Sequence, residues 1–176
     1  YAEDTVGRRQ YTLRFKDLAT GKLLPDVITN AEASVAWAAN NRTVLYIEKD
    51  PRTLLGHKVR KHVLGTDPKD DPVVYDEPDE SFYVDVGTTK DGRYVYIYSL
   101  ATLSSEQRYA DAADPKLEFS VILPREHDHE YYADHFDGRW IIRTNWQAPN
   151  FRLVEAPVGV SADRGQWREL VAHRND

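Results

Sequence analysis

One short word recurs through this chain and limits what it can fold into. Asn40-Asn41-Arg42, Asp91-Gly92-Arg93 and Asp137-Gly138-Arg139 each stand just before an apolar run. Asp-Gly and Asn-Asn tolerate the positive φ of a tight hairpin, which β-branched residues resist. The runs behind them are Val44-Leu45-Tyr46-Ile47, Tyr94-Val95-Tyr96-Ile97-Tyr98 and Trp140-Ile141-Ile142. These are too short for helices and rich in β-branched and aromatic residues, so strands are expected. Positions 41, 92 and 138 lie 51 and 46 residues apart. A period of roughly fifty residues with four strands in each repeat is the pattern of a β-propeller blade.

Three repeats can be laid over one another. Strands are expected at 34–39, 43–49, 57–64 and 72–75, then at 82–88, 94–100, 107–110 and 118–123, then at 130–136, 140–144, 151–156 and 167–171. Ahead of them remain only Arg9–Asp17 and Leu23–Ile28, joined by Ala19-Thr20-Gly21. The expected fold is all-β: a partial β-propeller of about three complete four-stranded blades plus half a blade. The half blade would occupy 1–30 and the blades 31–78, 79–125 and 126–176. Closed propellers have about four to eight blades, so this chain is expected to form an open arc. Its end blades would then expose apolar faces and strand edges and favour self-association. A two-sheet β-sandwich is the alternative, and the repeated turn-and-strand word ranks it second.

Composition narrows the function classes. Hydrophobic residues reach 41%, enough for a core, and charged residues reach 30%, which implies a polar surface. The net charge of −6 weighs against a nucleic-acid partner, because phosphates repel an acidic surface. There is no cysteine, which excludes disulfides, thiolate metal sites and a cysteine nucleophile and fits a cytoplasmic location. No apolar run is long enough for a membrane helix, and the first nine residues lack a signal-peptide core, so no membrane partner is expected. There is no methionine even at position 1, which suggests a piece of a longer chain.

Longer words carry a family resemblance. They include Tyr11-Thr12-Leu13-Arg14-Phe15-Lys16-Asp17-Leu18, Ala36-Trp37, and Tyr46-Ile47-Glu48-Lys49-Asp50-Pro51. Next come His62-Val63-Leu64-Gly65-Thr66 and Asp71-Pro72-Val73-Val74-Tyr75-Asp76-Glu77. Leu123-Pro124-Arg125-Glu126-His127, Arg143-Thr144-Asn145 and Ala148-Pro149-Asn150-Phe151-Arg152-Leu153 follow. In order and spacing these resemble the oligopeptidase B type of the prolyl oligopeptidase family, over nearly the whole chain. The resemblance implies a serine peptidase with an α/β-hydrolase domain and a seven-bladed gating propeller, cleaving short peptides after arginine or lysine. This chain would be part of that propeller. Its partners would be the missing blades, the hydrolase domain and short basic peptides, with no cofactor.

The catalytic part of that pattern is not in this sequence. A nucleophile elbow needs Gly-x-Ser-x-Gly. The nearest word, Gly159-Val160-Ser161-Ala162-Asp163, lacks the second glycine. No catalytic residue is therefore assigned, and the chain alone is expected to hydrolyse nothing. A stand-alone binding or scaffold module is the alternative function.

Four groups of side chains merit a position in the structure. His127, His129 and His135 form the densest histidine cluster and are the weak candidates for a metal. The plainer reading is a polar blade entrance, with Asp128 and Glu130 satisfying the rings. The acidic run Asp67, Asp70, Asp71, Asp76, Glu77, Asp79 and Glu80 suits basic peptides, and more simply a solvated turn. Ser104, Ser105 and Ser161 lack the turn and oxyanion donors of a nucleophile. Arg143 and Arg152 are candidates to hold a substrate carboxylate, against the alternative of cross-strand ion pairs.

Overall fold

The computed structural model describes residues 1–174. Strands dominate them, and the only helical elements among them are two single 3₁₀ turns, Pro68–Asp70 and Arg164–Gln166. The first six strands are β1 (Ala2–Glu3), β2 (Tyr11–Lys16), β3 (Leu23–Trp37), β4 (Thr43–Lys49), β5 (Gly56–Val63) and β6 (Val73–Asp76). Then come β7 (Tyr83–Thr88), β8 (Tyr94–Leu100), β9 (Ser105–Asp111) and β10 (Ser120–Leu123). The last four are β11 (Tyr131–Phe136), β12 (Arg139–Thr144), β13 (Arg152–Pro157) and β14 (Arg168–Val171). Three sheets result, ordered β1-β2-β3-β4-β5-β6, β10-β9-β8-β7 and β11-β12-β13-β14. The backbone divides into two compact units, residues 1–87 and residues from 88 onward.

The strands fall where the repeated word places them, with two differences: β1 (Ala2–Glu3) is a short extra strand paired with β2, and two expected strands are one. The stretches 23–28 and 34–39, expected as two strands, belong to the single fifteen-residue β3. Its first half pairs with β2 (Leu13↔Ile28, Arg14↔Val27) and its second half with β4 (Val35↔Tyr46, Trp37↔Val44). Asn30 sits between them at φ 57, where the register with β2 shifts between Ile28 and Ala31. Its side chain donates to the Lys49 carbonyl at 2.6 Å and accepts from Gln10 at 3.1 Å. An asparagine tolerates the left-handed geometry of such a bulge and satisfies it locally, so the strand bends without ending.

The three recurring turns are of two kinds. Ala38 N donates to Thr43 O and Asn41 N to Ala38 O; Thr89 N donates to Tyr94 O and Gly92 N to Thr89 O in the same pattern. The third is a tighter two-residue hairpin, with Phe136 paired to Arg139 and both Asp137 and Gly138 at positive φ. A second shared turn was not visible in the residue pattern. Asp17 and Asp50 each accept two backbone N–H groups two and three residues on, and each carbonyl accepts the N–H four residues on. The left-handed position is glycine in one, Gly21, and a leucine in the other, Leu54 at φ 62.

The two units have different centres. In the first, Leu13, Phe15, Ile28, Ala31, Val44 and Tyr46 form an apolar cluster. Beside it lies a buried ionic group. His62, fully buried, places Nδ1 3.0 Å from Asp71 and Nε2 3.0 Å from Asp26. Tyr46 donates its hydroxyl to Asp71 at 3.1 Å, and Gly65 N donates to Asp26 at 2.5 Å. Phe15 stacks on the imidazole at 5.9 Å. Burial pushes the Asp26 carboxyl up, but the Gly65 N–H and His62 outweigh it and hold it below the usual carboxylate range. Burial beside Asp71 pushes the Tyr46 phenol up, so it stays a donor.

In the second unit Trp140, Tyr131, Ile142, Val154, Ile122 and Leu123 form the core, with Tyr94 and Tyr109 packed against it. The outer edge of β11 is not left open. Gln107 donates its side-chain amide to Ala133 O and accepts from Ala133 N, both at 2.9 Å. Ser105 does the same for Tyr131, donating to its carbonyl at 2.8 Å and accepting its N–H at 2.7 Å. Side chains of β9 thus stand in for a neighbouring strand and remove the edge. The Tyr131 phenol accepts from Gln107 N and donates to Leu123 O, and Leu123 N lies 3.2 Å away.

Candidate functional site

The residues with recognition chemistry gather on the β12–β13 loop and the segments bonded to it. Asn145 ends β12. Its side chain accepts from Glu130 N at 2.9 Å and donates to Asp128 O at 3.1 Å, which fixes the β10–β11 loop against the β12–β13 loop. Gln147 and Phe151 both have positive φ, and Phe151 N donates to Ala148 O at 2.7 Å. Positive φ is costly for a bulky side chain, so the loop is held in an uncommon shape by its own bonds.

That shape presents guanidinium groups on aromatic rings. Arg143 lies over the Phe151 ring at 3.6 Å. Trp146 is flanked by Arg152 at 5.1 Å and Arg164 at 4.9 Å, and Trp167 meets it edge-on at 5.6 Å. Such contacts hold a cation while leaving its N–H groups directed elsewhere. Arg152 is also bonded to Glu169 at 3.4 Å and Arg164 to Glu126 at 2.8 Å. Arg143 is exposed and has no carboxylate within 4.0 Å among the described residues. Of the two arginines the sequence singled out, Arg152 is spent on Trp146 and Glu169, and Arg143 is available.

The histidines are not brought together. His127 is exposed beside Asp128 at 3.5 Å. His129 is buried, with Nε2 2.9 Å from Thr144 Oγ1 and Nδ1 3.3 Å from the Arg164 guanidinium. Burial, then the Arg164 charge, pushes its pKa down, so it stays neutral with Nδ1 as acceptor. His135 is bonded to Asp91 at 2.5 Å and packs edge-on to Tyr94 and Trp140. Its partner is therefore Asp91, and that of His129 is Thr144 with Arg164, in place of the expected Asp128 and Glu130. Among the described residues no group of three His, Asp or Glu side chains is placed to hold a metal.

Most of the serines and of the acidic run have structural roles. Ser105 serves the β11 edge, Ser161 donates to Ile122 O at 2.8 Å, and the Ser104 carbonyl closes the β8–β9 turn onto Ala101 N. Asp67 caps the first 3₁₀ turn through Lys69 N, Asp71 belongs to the His62 group, and Asp79 accepts from Ser81. Glu77 is buried and accepts from the Tyr75 hydroxyl at 2.5 Å. Asp76, Glu77 and Glu80 share a shallow cleft with Asp50, Thr53 and His57. Sequence reasoning missed Trp146 and Arg164, which are 18 positions apart and meet only in space; their residue types, as aromatic and cation, were the one available signal.

Comparison with known proteins decides the family. The family model for the prolyl oligopeptidase N-terminal beta-propeller domain matches residues 1–176. The chain belongs to the prolyl oligopeptidase family. It is 51% identical over its whole length to dipeptidyl aminopeptidase BI of Pseudoxanthomonas mexicana, covering 24% of that protein. It is 28% identical to protease 2 of Moraxella lacunata, over 90% of this chain and 23% of the relative. Oligopeptidase B from Leishmania major superposes with a TM-score of 0.92 at 25% identity, over 99% of this chain and 24% of that one. The chain thus spans about a quarter of the length of these relatives. The all-β reading as a partial propeller holds, and the sandwich alternative is set aside. No helix among the described residues of this propeller segment is long and apolar enough to cross a membrane.

Proposed function

We propose that this propeller segment gates the active site of a longer serine peptidase and limits it to short peptides. The observation that carries this reading is the match of the family's propeller model to all 176 residues of a chain that spans about a quarter of its relatives. Its role is exclusion: a walled entrance selects by what it rejects as much as by what it attracts. The missing partners are further blades and an α/β-hydrolase domain. The apolar groove of the first unit, formed by Leu13, Phe15, Leu18, Leu24, Val35 and Trp37, is the face on which a preceding blade or a second copy would seat. The absence of cysteine supports a cytoplasmic setting.

For substrates, cleavage after arginine or lysine remains the proposal, supported by the similarity to oligopeptidase B and protease 2. Arg143, exposed on Phe151, is the residue proposed to meet a peptide carboxylate. The test uses the full-length parent enzyme on arginyl and lysyl peptides of graded length, with free and acetylated N-termini. Cleavage after the basic residue with either terminus, falling off with length, supports the reading. Release of dipeptides only from free N-termini would instead align it with the dipeptidyl aminopeptidase relative. Equal cleavage of long and short peptides would overturn the gating role. The chain itself should show no serine labelled by a fluorophosphonate.

A further inference from the structure

The sequence holds the same word twice, Asp91-Gly92-Arg93 and Asp137-Gly138-Arg139. Asp-Gly is the dipeptide in which a carboxyl is most open to attack by the following amide, because glycine places no side chain in the way. The fold treats the two words in opposite ways. Asp91 accepts from Thr89 Oγ1 at 2.8 Å and Arg93 N at 3.1 Å through one oxygen, and from His135 at 2.5 Å through the other. The Gly92 N–H is occupied as well, donating to Thr89 O at 2.8 Å. Burial pushes the Asp91 carboxyl up, but the Arg93 N–H, His135 and Thr89 outweigh it and keep it ionised, the unreactive form.

Asp137 stands at a hairpin tip with its side chain 76% exposed. Its carboxylate pairs with Arg139 at 3.4 Å, a guanidinium shared with Glu155 at 3.0 Å. Space is open around Gly138 and Gly92 alike, a Cβ at either meeting nothing within 4 Å, so what separates the two words is the bonding of their aspartates. Neighbouring Phe136 is exposed too, so the tip can open without disturbing the core.

We propose that Asp137 is a site of spontaneous isoaspartate formation, and that the fold spares the matching word at Asp91. The Gly138 amide nitrogen attacks Cγ of the protonated Asp137 carboxyl. The amide proton leaves with the carboxyl hydroxyl as water, and a five-membered succinimide closes. Water then adds to one imide carbonyl. Opening at the main-chain carbonyl breaks its bond to the Gly138 nitrogen and leaves the chain running through Cγ, with a free α-carboxylate. Opening at the other carbonyl restores aspartate. The water lost in the first step is regained in the second, and no oxidant or reductant is needed. The product is the chemical class taken by S-adenosylmethionine-dependent isoaspartyl carboxyl methyltransferases. It adds one methylene to the main chain of a two-residue turn, next to the Phe136↔Arg139 and His135↔Trp140 pairs. The β11–β12 hairpin then loses its register at the tip.

The experiment ages the folded protein in mildly acidic buffer, with near-UV circular dichroism as the check of its fold. Isoaspartate is counted by methyl transfer and located by fragmentation mass spectrometry. A second sample is aged in urea. The expected result is modification at 137 at least about tenfold faster than at 91 in the folded protein, and similar rates at both in urea. Asp137→Ser should abolish the folded-state signal, and His135→Gln should raise modification at 91. Equal rates in the folded protein, or the same preference for 137 in urea, would overturn the proposal.

Discussion

The first unit is centred on charge and the second on aromatic rings and borrowed hydrogen bonds. Asp26, His62 and Asp71 are taken out of water together, and each is tolerable only because the others are present. In the second unit Trp140 and Tyr131 fill the centre, and polar side chains complete backbone pairing. Both centres answer the same requirement, that buried polar groups find partners, with Trp140 Nε1 and His135 Nε2 left without one in the second, and they fail differently when disturbed. An ionic centre fails by leaving a charge stranded. A borrowed ladder fails by leaving backbone groups unpaired.

The largest expected effect tests the ionic centre. His62→Ala strands two buried carboxylates and should cost about 3–5 kcal/mol, read by denaturant unfolding. Hydrogen exchange should show the loss in β4 and β5 first. A cost below about 1 kcal/mol would mean the group is incidental. Next, Tyr131→Phe removes the phenol shared by Gln107 N and the Leu123 carbonyl and should cost about 2–3 kcal/mol despite preserving the ring. A near-neutral result would show that the aromatic body alone holds the second unit.

Acid should separate the two units further. His129 has a lowered folded pKa, so its contribution is complete above the unfolded value near 6.5 and is lost as pH falls below it. Asp26, also lowered, contributes above its unfolded value near 3.8 and is lost only as pH falls below that. Exchange in β12 should therefore begin to rise as pH falls below about 6.5, before β5 responds. His129→Gln should remove that early step; its persistence would assign the step to another group. The smallest effect is a gain. Leu54→Gly relieves a left-handed leucine in a turn where the matching position is Gly21, and should add about 0.5–1 kcal/mol, confined to the first unit.

Much of the strand layout was legible because its signals are local. Tyr94-Val95-Tyr96-Ile97-Tyr98 and Trp140-Ile141-Ile142 combine β-branched and aromatic residues behind a turn, and both are strands. The continuity of β3 was not legible, since Asn30 looks like a stop and acts as a bulge. The site was harder still. Arg143 could be proposed from its place at the end of a strand, but its freedom depends on where every carboxylate goes. His62 meets Asp26 across 36 positions and His129 meets Arg164 across 35, separations that no residue pattern encodes.

The long β3 strand has a mechanical consequence. β2 and β4 grip its two halves from opposite sides, so tension drawn along it loads many hydrogen bonds at once in shear. Peeling a hairpin such as β11–β12 from its tip breaks bonds one after another, as a zipper does. Pulled from its ends, the molecule should yield by unzipping and keep β3 anchored until late.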